Sequence, residues 1–486
     1  MDNIKVKTKG LVFNKLNSFI LITLCIVNLY VIYSAPSHFE MIPVLSFFAS
    51  IIIVFFLLPE YFRNKSKTVL FFTVCATLKY ILMPLFYCIA PIITFSDFTP
   101  SDLNDINFGI CLMLYELLVL AFCVINFTRK DYNKFNKNRM LFLQKRQYNF
   151  LLETNNFFIV LFIALALFII AIDPTTITAF SFLFLKADTG IRVSATRLDT
   201  SGALLRTIVL YGIYSAFIVF SVWCAKKYNK NKKRLFLLLA LMFALSITMI
   251  LVREAREIPV YCGYASIVLL TTLFPQKRKT IRFILASVTF IVVLFLTLYK
   301  SFYVFHYSSY SEAFFATGLQ LEGITRTLEA YLLGPLQYTA CIEMANTNYT
   351  FPFTRLLYEI FRSTMGTNFL VRQMDMSTTS MIFNEFLTGG RNNHGLLLPI
   401  TGLGYLYLTP LFAPLLTCIV YRFASIIEYE IDSSRYAFGV FFMSYIYIRL
   451  STCIVCSNLN TVLTISSIVF WIAGTLYFTN KYIRIG

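Results

Sequence analysis

Apolar runs long enough to cross a bilayer, each bounded by charged or polar clusters, recur along nearly the whole chain. Twelve lie near 16–34, 41–59, 68–91, 106–127, 154–173, 206–225, 235–252, 258–274, 282–302, 396–421, 436–456 and 461–479. Each approaches the roughly 20 residues a helix needs to span about 30 Å of hydrocarbon. If the runs alternate in direction, the basic clusters RNKSK (63–67), RKDYNKFNKNR (129–139), KKYNKNKKR (226–234) and QKRKTIR (276–282) share one face with the N-terminal MDNIKVKTKG. Excess Lys and Arg mark the cytoplasmic side, so the pattern predicts about twelve transmembrane helices with both termini cytoplasmic.

The opposite face carries short links and two long loops, at about 174–205 and 303–395. Long loops are uncommon unless they are functional. Stretches such as EAFFATGL, EAYLLGPL and FTRLLYEIF make the second too apolar for a tether, and predict amphipathic or re-entrant helices packed on the bundle.

Composition agrees with this picture: 58% hydrophobic and 17% aromatic residues over 486 positions, with a mean hydropathy of +0.71, exceed what a soluble core buries. The expected fold is an all-α polytopic membrane protein, one membrane domain over 1–486, with the lipid bilayer as solvent. The first apolar run has no small-residue cleavage site and reads as a retained helix. The net charge of +18 lies between the apolar runs, where it sets orientation, so nucleic acid is not an expected partner. The eleven cysteines sit mostly inside apolar runs, as small hydrophobes do. Cys453 and Cys456 form a C-x-x-C without a second pair or a βαβ setting, which gives no redox or zinc signature. No G-x-x-x-x-G-K-[ST] loop or dinucleotide fingerprint is present, so neither ATP-driven nor redox chemistry is expected, and no cofactor.

The arginines change the picture further. The cytoplasmic face takes 18 Lys and 10 Arg, whereas spans and outer loops hold 3 Lys and 11 Arg. Orientation does not call for arginine outside, and its planar fork grips phosphate in bidentate fashion. Arg192, Arg197, Arg355, Arg362 and Arg372, with Arg206, Arg326 and Arg391, are therefore candidates for an outer pyrophosphate-binding chamber. Ion pairing with Glu312, Glu322, Glu329, Glu343, Glu359, Asp375 and Glu385 of the same loop is the alternative. In ILVREAREIPVY (250–261), Arg253, Glu254, Arg256 and Glu257 separate two short apolar runs. Charge at that depth faces either a watery cavity or a neutralising partner.

Lys79 and Glu116 each lie 11 residues from the cytoplasmic end of their runs, at similar depth, and are expected to pair, with an ion or proton relay as the alternative. The acidic stretch SDFTPSDLND (96–105) is expected to cap the fourth helix through Asp102 or Asp105. Of three histidines, only His394 stands in a dense polar cluster, with Arg391, Asn392 and Asn393. A histidine abstracts a hydroxyl proton near neutral pH, and an adjacent Arg stabilises a departing anion. An ordinary helix-start histidine is the other reading.

In its many spans, Arg-rich outer loops, the Arg253 and Arg256 turn, and the segment ending in TGLGYLYL (401–408), the chain resembles the O-antigen repeat-unit polymerases of the Wzy type and, more distantly, the O-antigen ligases. Asn393 and Leu396 leading to Gly402 and Gly404 match an N-x-x-L stretch before a Gly-rich helix start, and Arg391 to Gly402 matches an R-x10-G spacing. His394 follows its Asn, whereas the ligase pattern places the histidine before it. The resemblance implies a metal-independent glycosyltransferase in the bacterial inner membrane, acting on undecaprenyl-diphosphate-linked oligosaccharide at the periplasmic face. It implies pyrophosphate binding by Arg253 and Arg256, and acceptor activation and orientation by His394 and Arg391. A chain-length regulator and a flippase are the implied protein partners. A flippase or other transporter of the same lipid-linked units is the competing class, although the chain shows no internal repeat.

Overall fold

The structure, a computed structural model, describes residues 20–143, 156–174, 200–250, 257–305 and 321–483, apart from 348, 372, 375, 391–395, 435 and 457, together with 309, 311 and 312. Among these residues every regular element is helical and no strand occurs. In order the helices are α1 (Ile20–Ser34), α2 (Ile42–Asn64), α3 (Lys67–Ile89), α4 (Leu103–Leu143), α5 (Phe157–Ile172), α6 (Thr200–Asn231), α7 (Arg234–Ile250), α8 (Glu257–Leu273) and α9 (Arg278–Phe305). They continue with α10 (Leu321–Leu332), α11 (Pro335–Asn346), α12 (Phe353–Ser363), α13 (Thr379–Leu387), α14 (Ile400–Phe412), α15 (Leu415–Ser433), α16 (Ala437–Ser451) and α17 (Leu459–Tyr482).

A helix falls in each of the twelve apolar runs. Among the described residues five are long and apolar enough to cross a membrane: α2, α3, α4 from Leu103 to Phe127, α6 from Leu205, and α17. The α14 and α15 pair counts as a sixth if taken as one span. Backbone N–H and C=O groups find no partner in hydrocarbon, which is why such runs fold as helices.

Three boundaries differ from expectation, each for a local reason. The expected helix over 396–421 starts only at Ile400 and bends by 109° between α14 and α15. Thr409 leaves helical geometry (φ 70°, ψ 162°) before Pro410, and Pro414 follows; neither proline has an N–H to donate. Gly404 lies against the backbone of Ala413, and a Cβ there would overlap the Ala413 carbonyl, so the bend needs glycine. The expected helix over 436–456 ends at Ser451, and 452–456 forms turns. The fourth helix runs on to Leu143, so the basic run at 129–139 is helical. Its start fits the capping expectation: Asp102 accepts from the Asn104 N–H at 2.9 Å, and this with the Asn104 side-chain amide holds its carboxyl below the usual range.

The chain divides into two compact units. The first comprises Met1–Asn138, Gln320–Ile426 and Arg449–Thr464; the second comprises Arg139–Leu319, Ile427–Ile448 and Ile465–Gly486. In the second unit α5 meets α6 closely, because Gly212 leaves no room for a Cβ beside Ala166. Tyr214, Phe217, Phe441 and Tyr445 form its aromatic centre, with ring centroids 5.5–5.7 Å apart.

In the first unit much of the expected outer loop is core. Helix α11 is buried from Pro335 to Ile342, and Gly402 of α14 packs against Cys341 where a Cβ would collide with its sulfur. Helix α10 lies along the end of α3, with the Thr325 hydroxyl donating to the Ala90 carbonyl at 2.9 Å.

Candidate functional site

The polar interior of the first unit begins with a proline. Pro84 of α3 cannot donate to the preceding turn, and residues Leu78–Leu82 open into a π-helical turn. That turn carries Lys79 and Tyr80, both fully buried. Lys79 Nζ stands 2.9 Å from Glu116 Oε2, and the Tyr80 hydroxyl donates to the same oxygen at 2.6 Å. The pair expected from depth alone therefore forms.

A buried ion pair is tolerable only when its remaining hydrogen-bonding capacity is filled. Here distant segments fill it. Tyr338 of α11 donates to Glu116 Oε2 at 2.6 Å, and Thr401 of α14 donates to Oε1 at 2.5 Å. The Thr401 hydroxyl also lies 2.9 Å from that of Thr417 on α15. Lys79 donates to the Tyr338 hydroxyl at 3.0 Å and to the Ile454 carbonyl at 3.1 Å. That carbonyl is free to accept because α16 has already ended. Glu116 is 13 residues along α4, about 20 Å from its start at 1.5 Å per residue, so Tyr338 reaches the mid-length of a spanning helix.

A second carboxylate, Glu329 of α10, is also fully buried. It accepts from the Tyr87 hydroxyl and the Gln337 backbone N–H, each at 2.9 Å, while the Gln337 amide donates to the Glu329 carbonyl at 2.8 Å. Leu333 takes the left-handed conformation (φ 56°), and Gly334 lies so close to the carboxylate that any Cβ would overlap it. Burial raises the Glu329 pKa from 4.5 to about 7, against the lowering effect of these hydrogen bonds. The native protein then holds a proton that the unfolded chain releases at lower pH. The stabilisation is complete below the ordinary carboxylate range and is lost as pH rises through about 7, a change on the order of 3 kcal/mol. The thermal midpoint of the purified protein is expected to fall between about pH 5 and about pH 8, and Glu329→Gln to flatten that fall. An unchanged slope in the variant would remove Glu329 as its source.

The third carboxylate, Glu359, joins four helices. It projects from the buried face of α12 and accepts from the Thr379 N–H at 2.5 Å and from the Thr379 hydroxyl, at the start of α13. Tyr407 of α14 donates at 3.3 Å, and the Asn460 amide of α17 at 3.4 Å. A small recess beside it is lined by Glu359, Ser380, Asn458 and Asn460 with Leu398, Leu403 and Leu459. The segment entering the recess is held at both edges. Asn384 accepts from the Leu396 N–H at 2.9 Å and donates to the Leu396 carbonyl at 3.1 Å, and Asn458 accepts from the Leu398 N–H at 2.5 Å. The chain emerging from the Arg391–His394 cluster is thus anchored two residues later.

Of the site residues expected from sequence, Arg192, Arg197, Arg253, Arg256, Arg372, Arg391 and His394 lie outside the described residues. Arg355 and Arg362 both belong to α12. Arg355 donates to the Thr350 carbonyl at 3.1 Å; Arg362 donates to the Met376 carbonyl at 2.7 Å and to the Tyr358 hydroxyl at 2.9 Å. Arg326 donates to the Thr94 carbonyl at 2.8 Å. The loop acids Glu329, Glu343 and Glu359 likewise take neutral donors, Glu343 from the Ser101 N–H at 2.6 Å. These contacts of Arg326, Arg355, Arg362, Glu329, Glu343 and Glu359 are hydrogen bonds to neutral groups. Glu329, Tyr338, Glu359, Asn458 and Asn460 carry no motif and were not singled out as site residues; the one hint was acids within the apolar loop helices EAYLLGPL and FTRLLYEIF.

Compared with family models, curated proteins and solved structures, the chain has no match.

Proposed function

We propose that this protein is a bacterial inner-membrane glycosyltransferase that joins undecaprenyl-diphosphate-linked oligosaccharide repeat units into a surface polysaccharide. On this reading it has twelve spans, both termini in the cytoplasm, and the 303–395 segment at the outer face. The observation that carries the reading is the recess of Glu359, Ser380, Asn458 and Asn460 beside the anchored Leu396–Leu398 segment. Carboxylate and amide groups offer the mixed donors and acceptors that sugar hydroxyls need. The acceptor sugar lies over this recess, and His394 takes the proton of its attacking hydroxyl. That oxygen bonds to the anomeric carbon of the donor, whose bond to the lipid pyrophosphate breaks and leaves its electrons on the departing phosphate oxygen. Arg391 orients the acceptor, and Arg253 and Arg256, with Arg192, Arg197 and Arg372, hold the leaving pyrophosphate.

A flippase for the same units is the second reading, favoured by the 109° break between α14 and α15, since discontinuous helices line transporter sites. One experiment separates the two. The gene is deleted in its host and restored with Arg253→Ala, Arg391→Ala or His394→Ala at matched membrane levels, and the surface polysaccharide is resolved on a gel. The expected result is loss of the long-chain ladder, with a single repeat unit still joined to the lipid core. Repeat units retained on the cytoplasmic side would overturn polymerisation in favour of transport.

A further inference from the structure

Helix α12 is amphipathic in the reverse sense. Its polar residues Tyr358, Glu359 and Ser363 are buried with Leu356, whereas Phe353, Leu357 and Phe361, spaced four apart on one face, are 54%, 39% and 39% exposed. The apolar face continues onto the short 3-10 turn Asn368–Val371, where Phe369 and Leu370 are 68% and 59% exposed. A helix lying between protein and water arranges these residues the other way. Arg355 and Arg362 are seven residues apart and share the side of buried Tyr358 and Glu359, away from Phe353, Leu357 and Phe361. Within the same unit the exposed apolar surface resumes at Leu411 and Phe412 on the α14–α15 bend, then runs along α15 through Leu415, Ile419 and Phe423, the stripe expected of a lipid-facing helix.

The geometry points to α12 and its following turn as a membrane-interface element. Phe353, Leu357, Phe361, Phe369 and Leu370 enter the acyl chains. This assignment is independent of the reaction proposed for the site.

The test uses full-length protein in nanodiscs, with Trp223→Phe and Trp471→Phe removing both native tryptophans and Phe361→Trp supplying a single reporter. Acyl-chain-brominated lipid is expected to quench its emission severalfold, and aqueous iodide to leave it unchanged. Quenching by iodide alone would mean a water-facing helix, and quenching by neither would mean a second copy or another protein on this face; either overturns the proposal. Leu357→Trp serves as reporter if the first variant does not fold.

Discussion

Replacing Glu116 with alanine is expected to destabilise the protein by about 3–5 kcal/mol, because Lys79 is then left as a buried ammonium without its counter-ion. The Tyr338 hydroxyl and the Ile454 carbonyl, at 3.0 and 3.1 Å, supply dipoles but no negative charge. Tyr80, Tyr338 and Thr401 would also lose the oxygen they donate to. The measurement is the thermal midpoint of purified protein, with the fraction extracted in folded form as a second readout. Removing both charges, as Lys79→Met with Glu116→Leu, should recover the part of the loss that comes from the unpaired ammonium, while Tyr80, Tyr338 and Thr401 still lack their acceptor. A stable Glu116→Ala protein would show that Lys79 sheds its proton or reaches solvent rather than staying a buried ammonium. The double variant also decides function: a folded protein that still makes long chains assigns the pair to structure, and one that makes none assigns it to the reaction.

Glu359→Ala is expected to abolish the long-chain ladder while leaving most of the protein in the membrane. The substitution strips acceptors from Thr379 and Tyr407 and a partner from Asn460, at about 1–3 kcal/mol for each buried group left unsatisfied. The loss is confined to the place where α12, α13, α14 and α17 converge, so the recess should disorder before the spans do. Glu359→Gln keeps the volume and an oxygen for the Thr379 N–H but puts an NH2 where the Asn460 amide donates, so reduced polymer rather than none is expected. A normal ladder from Glu359→Ala at matched protein level would exclude the recess as the acceptor site.

The two carboxylates differ in how legible they were. Lys79 and Glu116 stand alone in apolar runs, where unpaired charge is costly, and equal distance from the same membrane face is enough to pair them. Glu359 sits in FTRLLYEIF among other charges, where a helical wheel assigns it to the polar side. Its burial depends on what the helix packs against, which local pattern does not encode. The bend in the tenth segment was half legible. Pro410 and Pro414 are visible, yet prolines also occur in α2 and α3, where a π turn absorbs them and the helix continues. Gly404 against Ala413 makes the difference, and that contact exists only in three dimensions.

By itself the sequence determined that the chain is helical and made for a membrane, because hydrocarbon forces each apolar run to satisfy its own backbone locally and the run lengths record this. It also determined the Asp102 cap and the depth of Lys79 and Glu116, which are likewise local or one-dimensional properties. Tertiary structure alone decided that α11 brings Tyr338 to Glu116, that Glu359 faces inward, and that α12 turns its apolar side outward. The buried network that Tyr338 joins links residues up to 375 positions apart, as Lys79 and Ile454 are, and such outcomes arise from the competition of many segments to fill one set of buried hydrogen bonds.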